Sequence, residues 1–250
     1  MVHASPTAVI LTVGNEIVSG DVENTNASWI SRRLATLGVQ VRLLAAVRDD
    51  IEEIGDFLRT ECPRVDYVFV TGGLGGTPDD ITREAIAAAF GLPTEEIPGL
   101  ARELRSRFER RGLGDYAARW ACLPQGAAPI DSPLGGAPGF VIENVFVFPG
   151  LPSEMEAMFD SIAGRFRGLP IGCWRRSYRT VEGQIVRVLE EATRRHPSVS
   201  VGSYPRFHED GPEVEVVLKS SDGDALARAK AWIEPALEDA LSRAPAPPRS

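Results

Sequence analysis

The segment Thr71-Gly72-Gly73-Leu74-Gly75-Gly76-Thr77-Pro78-Asp79-Asp80-Ile81-Thr82 places four glycines and two adjacent aspartates between an apolar, strand-like run and a helix-like one. Glycine lets backbone approach a ligand closely and take positive φ, and the first N–H groups of a helix have no partner within it, so such a turn can cradle phosphate. The spacing is not that of a Walker A loop, because no Gly-Lys-Ser/Thr occurs, and no third glycine falls in register for a dinucleotide fingerprint. Asp79 and Asp80 would repel a bare anion. A divalent cation (Mg, Mn or Co) bridging carboxylate and phosphate oxygens offsets that repulsion, and can also polarise a phosphoryl group or generate hydroxide from water. The competing reading makes one or both aspartates mere N-caps of the helix at Ile81. On the first reading Asp79 and Asp80 are catalytic and metal-ligating, Gly72, Gly73, Gly75 and Gly76 bind phosphate through N–H groups, and Thr71, Thr77 and Thr82 add polar contacts.

Two further turns supply candidates. Gly14 to Asn26 follows an apolar run and offers Glu16, Asn24 and Asn26, acid and amide groups suited to a ribose, a base edge or a water network. Glu16 is a third catalytic candidate, supporting a metal-bound water or the ribose. Asn24 and Thr25 serve equally well as helix caps, and the glycines as simple turns. Phe148-Pro149-Gly150-Leu151-Pro152-Ser153-Glu154 leaves a strand for a helix and contributes Pro149, Gly150, Ser153 and Glu154. Arg119 and Arg83 are the local cations for phosphate. His3, His196 and His208 lack metal-ligand spacing, no Ser or Cys has a nucleophile context, and the three cysteines (Cys62, Cys122, Cys173) are too scattered for a disulfide framework or zinc site.

These turns need elements to position them. Ala8–Val13, Val39–Val47 and Tyr67–Val70 read as strands, and helices fall between them at Asn26–Leu37 and from a cap at Asp49 or Asp50 through Leu58. Strand, helix, strand, helix, strand implies right-handed crossovers and a mostly parallel sheet, with ligands beyond the carboxyl ends where Gly14 and Thr71 lie. Helices are expected at Thr82–Phe90, Ile97–Arg111 and Tyr116–Ala121. A hairpin of Gly139–Ile142 and Val145–Phe148 turns at Glu143 and Asn144, and a helix starts near Ser153. After about Arg167 the pattern becomes α+β: strand Tyr178–Val181, helix Gln184–Arg194, strands Val199–Tyr204 and Val214–Lys219, helix Asp224–Leu241. The expected domains are 7–167 and 168–242, with a loose, proline-containing tail at 243–250.

At 250 residues, 43% hydrophobic and 25% charged, the chain can bury a core without staples. A net charge of −8 gives no global field for nucleic acid, so any phosphate must be held locally. No apolar run is long enough for a membrane helix and no signal-like start is present, which points to the cytoplasm and away from a membrane partner.

Taken together, Gly14–Asn26, Thr71–Thr82 and Phe148–Glu154, with Ser132-Pro-Leu-Gly-Gly-Ala-Pro-Gly-Phe140 between the last two, resemble in order the N-terminal domain of the CinA family, which has the MoaB/Mog molybdopterin-binding fold. The resemblance covers roughly residues 7–167 and implies an α/β three-layer sandwich. Val201-Gly202-Ser203-Tyr204-Pro205 resembles the small α+β domain that follows, described as KH-like, yet no GxxG is present to clamp a nucleic-acid backbone. The family loop usually reads Gly-Pro-Thr where this chain has Gly75-Gly76-Thr77. Full-length members carry a C-terminal nicotinamide mononucleotide deamidase domain, and this chain stops before it, so deamidase activity is not expected. The resemblance implies a metal-dependent pyrophosphatase converting ADP-ribose or a related nucleotide diphosphate to AMP and a sugar phosphate. The alternative is a molybdopterin or nucleotide binding module without turnover, serving molybdenum cofactor handling or ligand sensing. By analogy with this fold the chain is expected to form a homodimer or homotrimer.

Overall fold

Val9, Leu11 and Val13 alternate with Ala8, Ile10 and Thr12 along β1 (Thr7–Val13), and both sets are buried, so this strand needs cover on each face. The chain meets that need with two layers of helices. The computed structural model describes residues 5–168, 170–208 and 211–243. After β1 come α1 (Asn15–Ser19), α2 (Thr25–Thr36), β2 (Gln40–Val47), α3 (Ile51–Glu61), β3 (Tyr67–Thr71) and α4 (Thr82–Phe90). Then follow β4 (Thr94–Glu96), α5 (Pro98–Glu109), α6 (Gly114–Ala118), β5 (Cys122–Pro124), β6 (Ala128–Ile130), β7 (Gly139–Ile142), β8 (Val145–Phe148) and α7 (Pro152–Ile162). The main sheet has the order β2-β1-β3-β8-β7-β6; its first four strands pair in parallel, and β7 runs antiparallel to both its neighbours, β8 and β6. One face packs Ile10, Phe69 and Phe148 against Ile30 and Leu34 of α2 and Met155 and Phe159 of α7. The other packs Val9, Leu11 and Val70 against Ile54 and Leu58 of α3 and Ile86 of α4. This is the expected three-layer α/β arrangement, with a mostly parallel sheet.

Local signals account for most element ends. Asn24 caps α2, its side chain accepting the Ala27 N–H at 3.2 Å, and Asp50 caps α3 by accepting from Glu52 and Glu53. Asp49 has another partner, accepting the Asn15 N–H at 2.8 Å. The β7–β8 hairpin turns at Glu143, which takes φ 49°, while Asn144 Nδ2 donates to Cys62 O and Val65 O. The helix expected at Tyr116–Ala121 divides into α6 and a 3-10 turn at Arg119–Ala121.

The chain divides into two compact units, Met1–Gly168 and Leu169–Ser250. The second contains β9 (Gly172–Tyr178), α8 (Glu182–Arg195), β10 (Ser200–His208), β11 (Gly211–Ser220) and α9 (Gly223–Arg243). Its antiparallel sheet has the order β10-β11-β9, and Val216 and Leu218 pack with Ile185, Ile233 and Leu237 from the two helices. The strand expected at Tyr178–Val181 lies earlier, at Gly172–Tyr178, where Trp174 pairs with Leu218 and Tyr178 with Val214. Arg175, Arg176 and Ser177 interrupt the apolar run there because most of β9 is exposed, and Val181 is the N-cap residue of α8. Of the expected tail, Arg243 closes α9, and residues 244–250, like His3, lie outside the described residues. Among the described residues, no helix is long and apolar enough to cross a membrane.

Candidate functional site

The ends of β1, β3 and β8 meet at a knot of side-chain hydrogen bonds. Thr71 Oγ1 donates to Pro149 O at 2.9 Å and accepts from Asn26 Nδ2 at 3.0 Å, and the same amide donates to Gly150 O at 2.8 Å. Thr12 Oγ1 at the end of β1 donates to Asn24 Oδ1 at 3.0 Å. The sequence candidates Asn24, Asn26 and Thr71 thus hold three turns together, and the hydroxyl of Thr71 and the capping oxygen of Asn24 are taken up by protein groups. Thr82 behaves likewise: its hydroxyl donates to Gly72 O at 2.9 Å.

Backbone packing also explains two of the glycines. Gly72 has φ +106°, and a Cβ there would lie 2.1 Å from Val13 O; a Cβ on Gly73 would lie 2.2 Å from Thr82 Oγ1. Farther along, Asp80 closes the loop on itself. Its Oδ1 accepts the Gly75 N–H at 2.8 Å, and its Oδ2 accepts the Thr77 N–H at 2.8 Å together with the Thr77 hydroxyl. Neither aspartate caps α4, whose N-cap position is Ile81 without a side-chain hydrogen bond.

Arg83 corrects the expectation of a phosphate-binding cation. It is buried, and its guanidinium donates to Leu74 O and Gly75 O, clamping the loop from behind because those carbonyls would otherwise be left unpaired. The phosphate-cradle reading needs correction too. The N–H groups of Gly72 and Gly75 are engaged by Phe148 O and Asp80, and that of Thr82 by Gly73 O. Among the described residues the N–H groups of Gly73 and Gly76 have no protein acceptor and are among the donors left for an anion.

A cavity of about 530 Å³ opens over this loop and brings Glu16, Gly72, Gly73, Gly75 and Asp80 together with Pro149, Gly150 and Glu154. Glu16 curls over Gly14, where a Cβ would lie 2.6 Å from its Oε1. Gly14 itself is tied to Val47 O through its N–H. Glu154 stands against Gly136, whose Cβ would lie 2.2 Å from Glu154 Oε1, so the Ser132–Phe140 segment forms one wall. Burial raises the Glu154 pKa above the usual carboxylate range. Burial also raises Asp49, the Asn15 N–H opposes this, and the negative charges of Glu16 and Asp79 add to the rise. Asp79 is fully exposed, and hydrogen bonding within the turn that begins at Thr77, its own backbone included, lowers its pKa.

Ser153 lies in the first turn of α7, outside the cavity lining. Arg119 lines a different cavity of about 490 Å³ with Gly76, Thr77 and Arg105; the two cavities share Gly75 and Asp80. Sequence reasoning missed Phe108, Arg111 and Trp120, which also line the cavity. Phe108 and Trp120 meet edge to face at 5.2 Å, Arg111 lies 5.8 Å from the Phe108 ring centre, and Trp120 Nε1 is buried without an acceptor among the described residues. The packing of α5 against α6 and the 3-10 turn after it carries these aromatics to the cavity.

A preformed metal cage would need several ligands at one point, and among the described residues no group of three or more His, Cys, Asp or Glu side chains could hold an ion. The Asp80 carboxylate at the cavity, with exposed Asp79 next to it in the chain, suits a hard cation that arrives with phosphate, since Mg²⁺ commonly takes one or two protein carboxylates and completes its shell with water and substrate oxygens.

Residues 9–167 match the family model described as "Probable molybdopterin binding domain", and residues 177–244 match that of the FAD synthase middle domain. A protein of Aeropyrum pernix is 36% identical over 245 residues, covering 93% of this chain and 91% of its own length. A CinA-like protein of Frankia casuarinae is 43% identical over 165 residues, covering 62% of this chain, and the match spans 38% of that relative. The crystal structure of CinA from Thermoplasma acidophilum, titled as a protein of unknown function, superposes with a TM-score of 0.61 at 34% identity, over 65% of this chain and 98% of that one.

Proposed function

The chain belongs to the CinA-like family with a molybdopterin-binding domain, and on that premise we propose that it hydrolyses the diphosphate of an ADP-ribose-like nucleotide, with a divalent cation, to AMP and a sugar phosphate. The observation that carries this reading is the cavity of about 530 Å³ over the glycine loop, lined by Gly72, Gly73 and Gly75 together with Glu16, Asp80 and Glu154. Gly73 donates its N–H group to a phosphate oxygen in this cavity, with Gly76 at the adjoining one, from a loop that Asp80 and Arg83 hold rigid, so little reorganisation accompanies binding. Glu16 takes the proton of the attacking water as its oxygen bonds to phosphorus. The bridging P–O bond breaks, and Glu154, whose pKa burial raises, is the better placed of these acids to return a proton to the leaving phosphate. A bound cation supplies charge neutralisation and polarisation of the phosphoryl group. Exposed Asp79 and the outward side of Asp80 would hold it.

A second reading, a pterin or nucleotide binding module without turnover, is favoured by the lack of a three-ligand metal group among the described residues and by the Phe108–Trp120 wall, which suits a flat heteroaromatic ring. Incubation with ADP-ribose and Mg²⁺, Mn²⁺ or Co²⁺ in turn, following AMP by chromatography, separates the two. AMP that depends on metal supports the hydrolase, whereas saturable binding of a pterin with no AMP under any metal overturns it.

A further inference from the structure

β2 is an edge of the main sheet, with β1 on one side and, among the described residues, no strand on the other. An unpaired edge presents a row of backbone N–H and C=O groups to any extended segment that reaches it, and proteins ordinarily blunt such edges with proline, charge or shortness. The chain does so elsewhere. At the far edge of the same sheet β6 is three residues long and contains Pro129; in the second unit β10 carries Pro205, and β9 carries Arg175 and Arg176. From Leu43 to Val47, a run of Leu, Ala and Val, β2 has no such guard. Its one charged residue, Arg42, falls in a bulge between Val41 and Leu43 and spends its guanidinium on Arg64 O at 3.1 Å.

Side chains and backbone of this run are both open. Leu43 and Leu44 are 40% and 47% exposed, and because neighbours along a strand point to opposite faces, apolar surface borders the edge above and below. Val47 O accepts from Gly14, the residue after β1, so the alternation of the strand turns the N–H and C=O of Ala46 and Leu44 outward. The run is also self-complementary. An antiparallel copy related by a two-fold axis at Leu44 sets Leu44 against Leu44, Leu43 against Ala45, Val41 against Val47 and Arg42 against Ala46, so within the strand no like charges stand opposite each other. We propose that β2 pairs with β2 of a second copy of this chain, joining the two main sheets into one across a two-fold interface. The pairing consumes the open edge of both chains, so it closes at a dimer.

The test is the molar mass of the full chain by sedimentation equilibrium over a range of concentrations. The parent is expected to reach twice the chain mass. Leu44→Lys sets two ammonium groups at the axis, and Ala46→Pro removes an outward N–H while leaving those that face β1; each is expected to weaken association at least about tenfold. Val186→Lys, at an exposed apolar position of α8, should leave it unchanged. Thermal melts show whether each variant folds. Where an edge variant does not, Leu44→Cys takes its place: a disulfide between copies that forms on mild oxidation of this variant and not of the parent supports the axis, and its absence counts against it. A parent that is monomeric or trimeric, or a dimer that survives both edge substitutions or that Val186→Lys disrupts equally, overturns the proposal. Loss of the dimer in Leu44→Lys but not in Ala46→Pro overturns it too, by assigning the contact to side chains without strand pairing.

Discussion

The loop from Gly72 to Asp80 and the segment from Gly14 to Asn26 treat their polar groups in opposite ways. In the first, Asp80, Arg83 and Thr82 consume most of the backbone donors and acceptors, so the loop is largely satisfied by its own protein. In the second, Asn26 spends both protons of its amide on Thr71 and Gly150 and leaves its buried oxygen without a donor, while Glu16 and Glu23 line a cavity and, among the described residues, make no ion pair. The conspicuous glycine loop is therefore built first as a rigid shelf, and the discrimination between ligands is expected from the less conspicuous segment next to it.

Substitutions can break this contrast. The largest effect is expected for Gly72→Ala, which meets Val13 O and a positive φ at once. A loss of about 3 kcal/mol or more in urea unfolding is predicted, enough to leave little folded protein; a loss under about 1 kcal/mol would mean the shelf is pliable. Next, Asp80→Ala removes the acceptor for Gly75 and Thr77 and should cost about 1–3 kcal/mol as well as turnover. Asp79→Asn should leave the unfolding midpoint within about 0.5 kcal/mol of the parent, as surface substitutions do, yet lower metal-dependent AMP release at least tenfold. Unchanged turnover would remove Asp79 from the site.

The smallest effect concerns pH. The folded-state pKa of Glu154 is raised above its unfolded value, so its contribution favours folding at pH below the unfolded pKa and is lost as pH rises through the folded one. Glu154→Gln should therefore raise Tm at pH 7 relative to the parent and make little difference at pH 4. An equal shift at both pH values would assign the effect to packing.

Much of the fold was legible because its signals are local. The fully apolar β1 and β3, the Asn24 and Asp50 caps and the Glu143–Asn144 turn follow from residue types a few positions apart. β9 was displaced because an exposed strand carrying Arg175 and Arg176 has no apolar alternation, and its position is set by pairing to β11. At the site, sequence picked out turns that the fold gathers at one cavity, but not the use of each atom. That Asp80 bonds its own loop, that Arg83 faces inward and that Trp120 reaches the cavity depend on tertiary packing, which residue spacing does not encode.

The knot at Thr71 has a kinetic side. Asn26 bonds Thr71, 45 residues away, and Gly150, 124 residues away, so the junction closes only after β8 has joined the sheet. Contacts of such sequence separation form late, because the entropy of closing the intervening chain must be met before they contribute. During synthesis, the glycine loop would emerge long before it had a floor. A ligand that needs the finished junction would then distinguish completed molecules from partly folded ones, and by binding only the former would draw the last folding step forward.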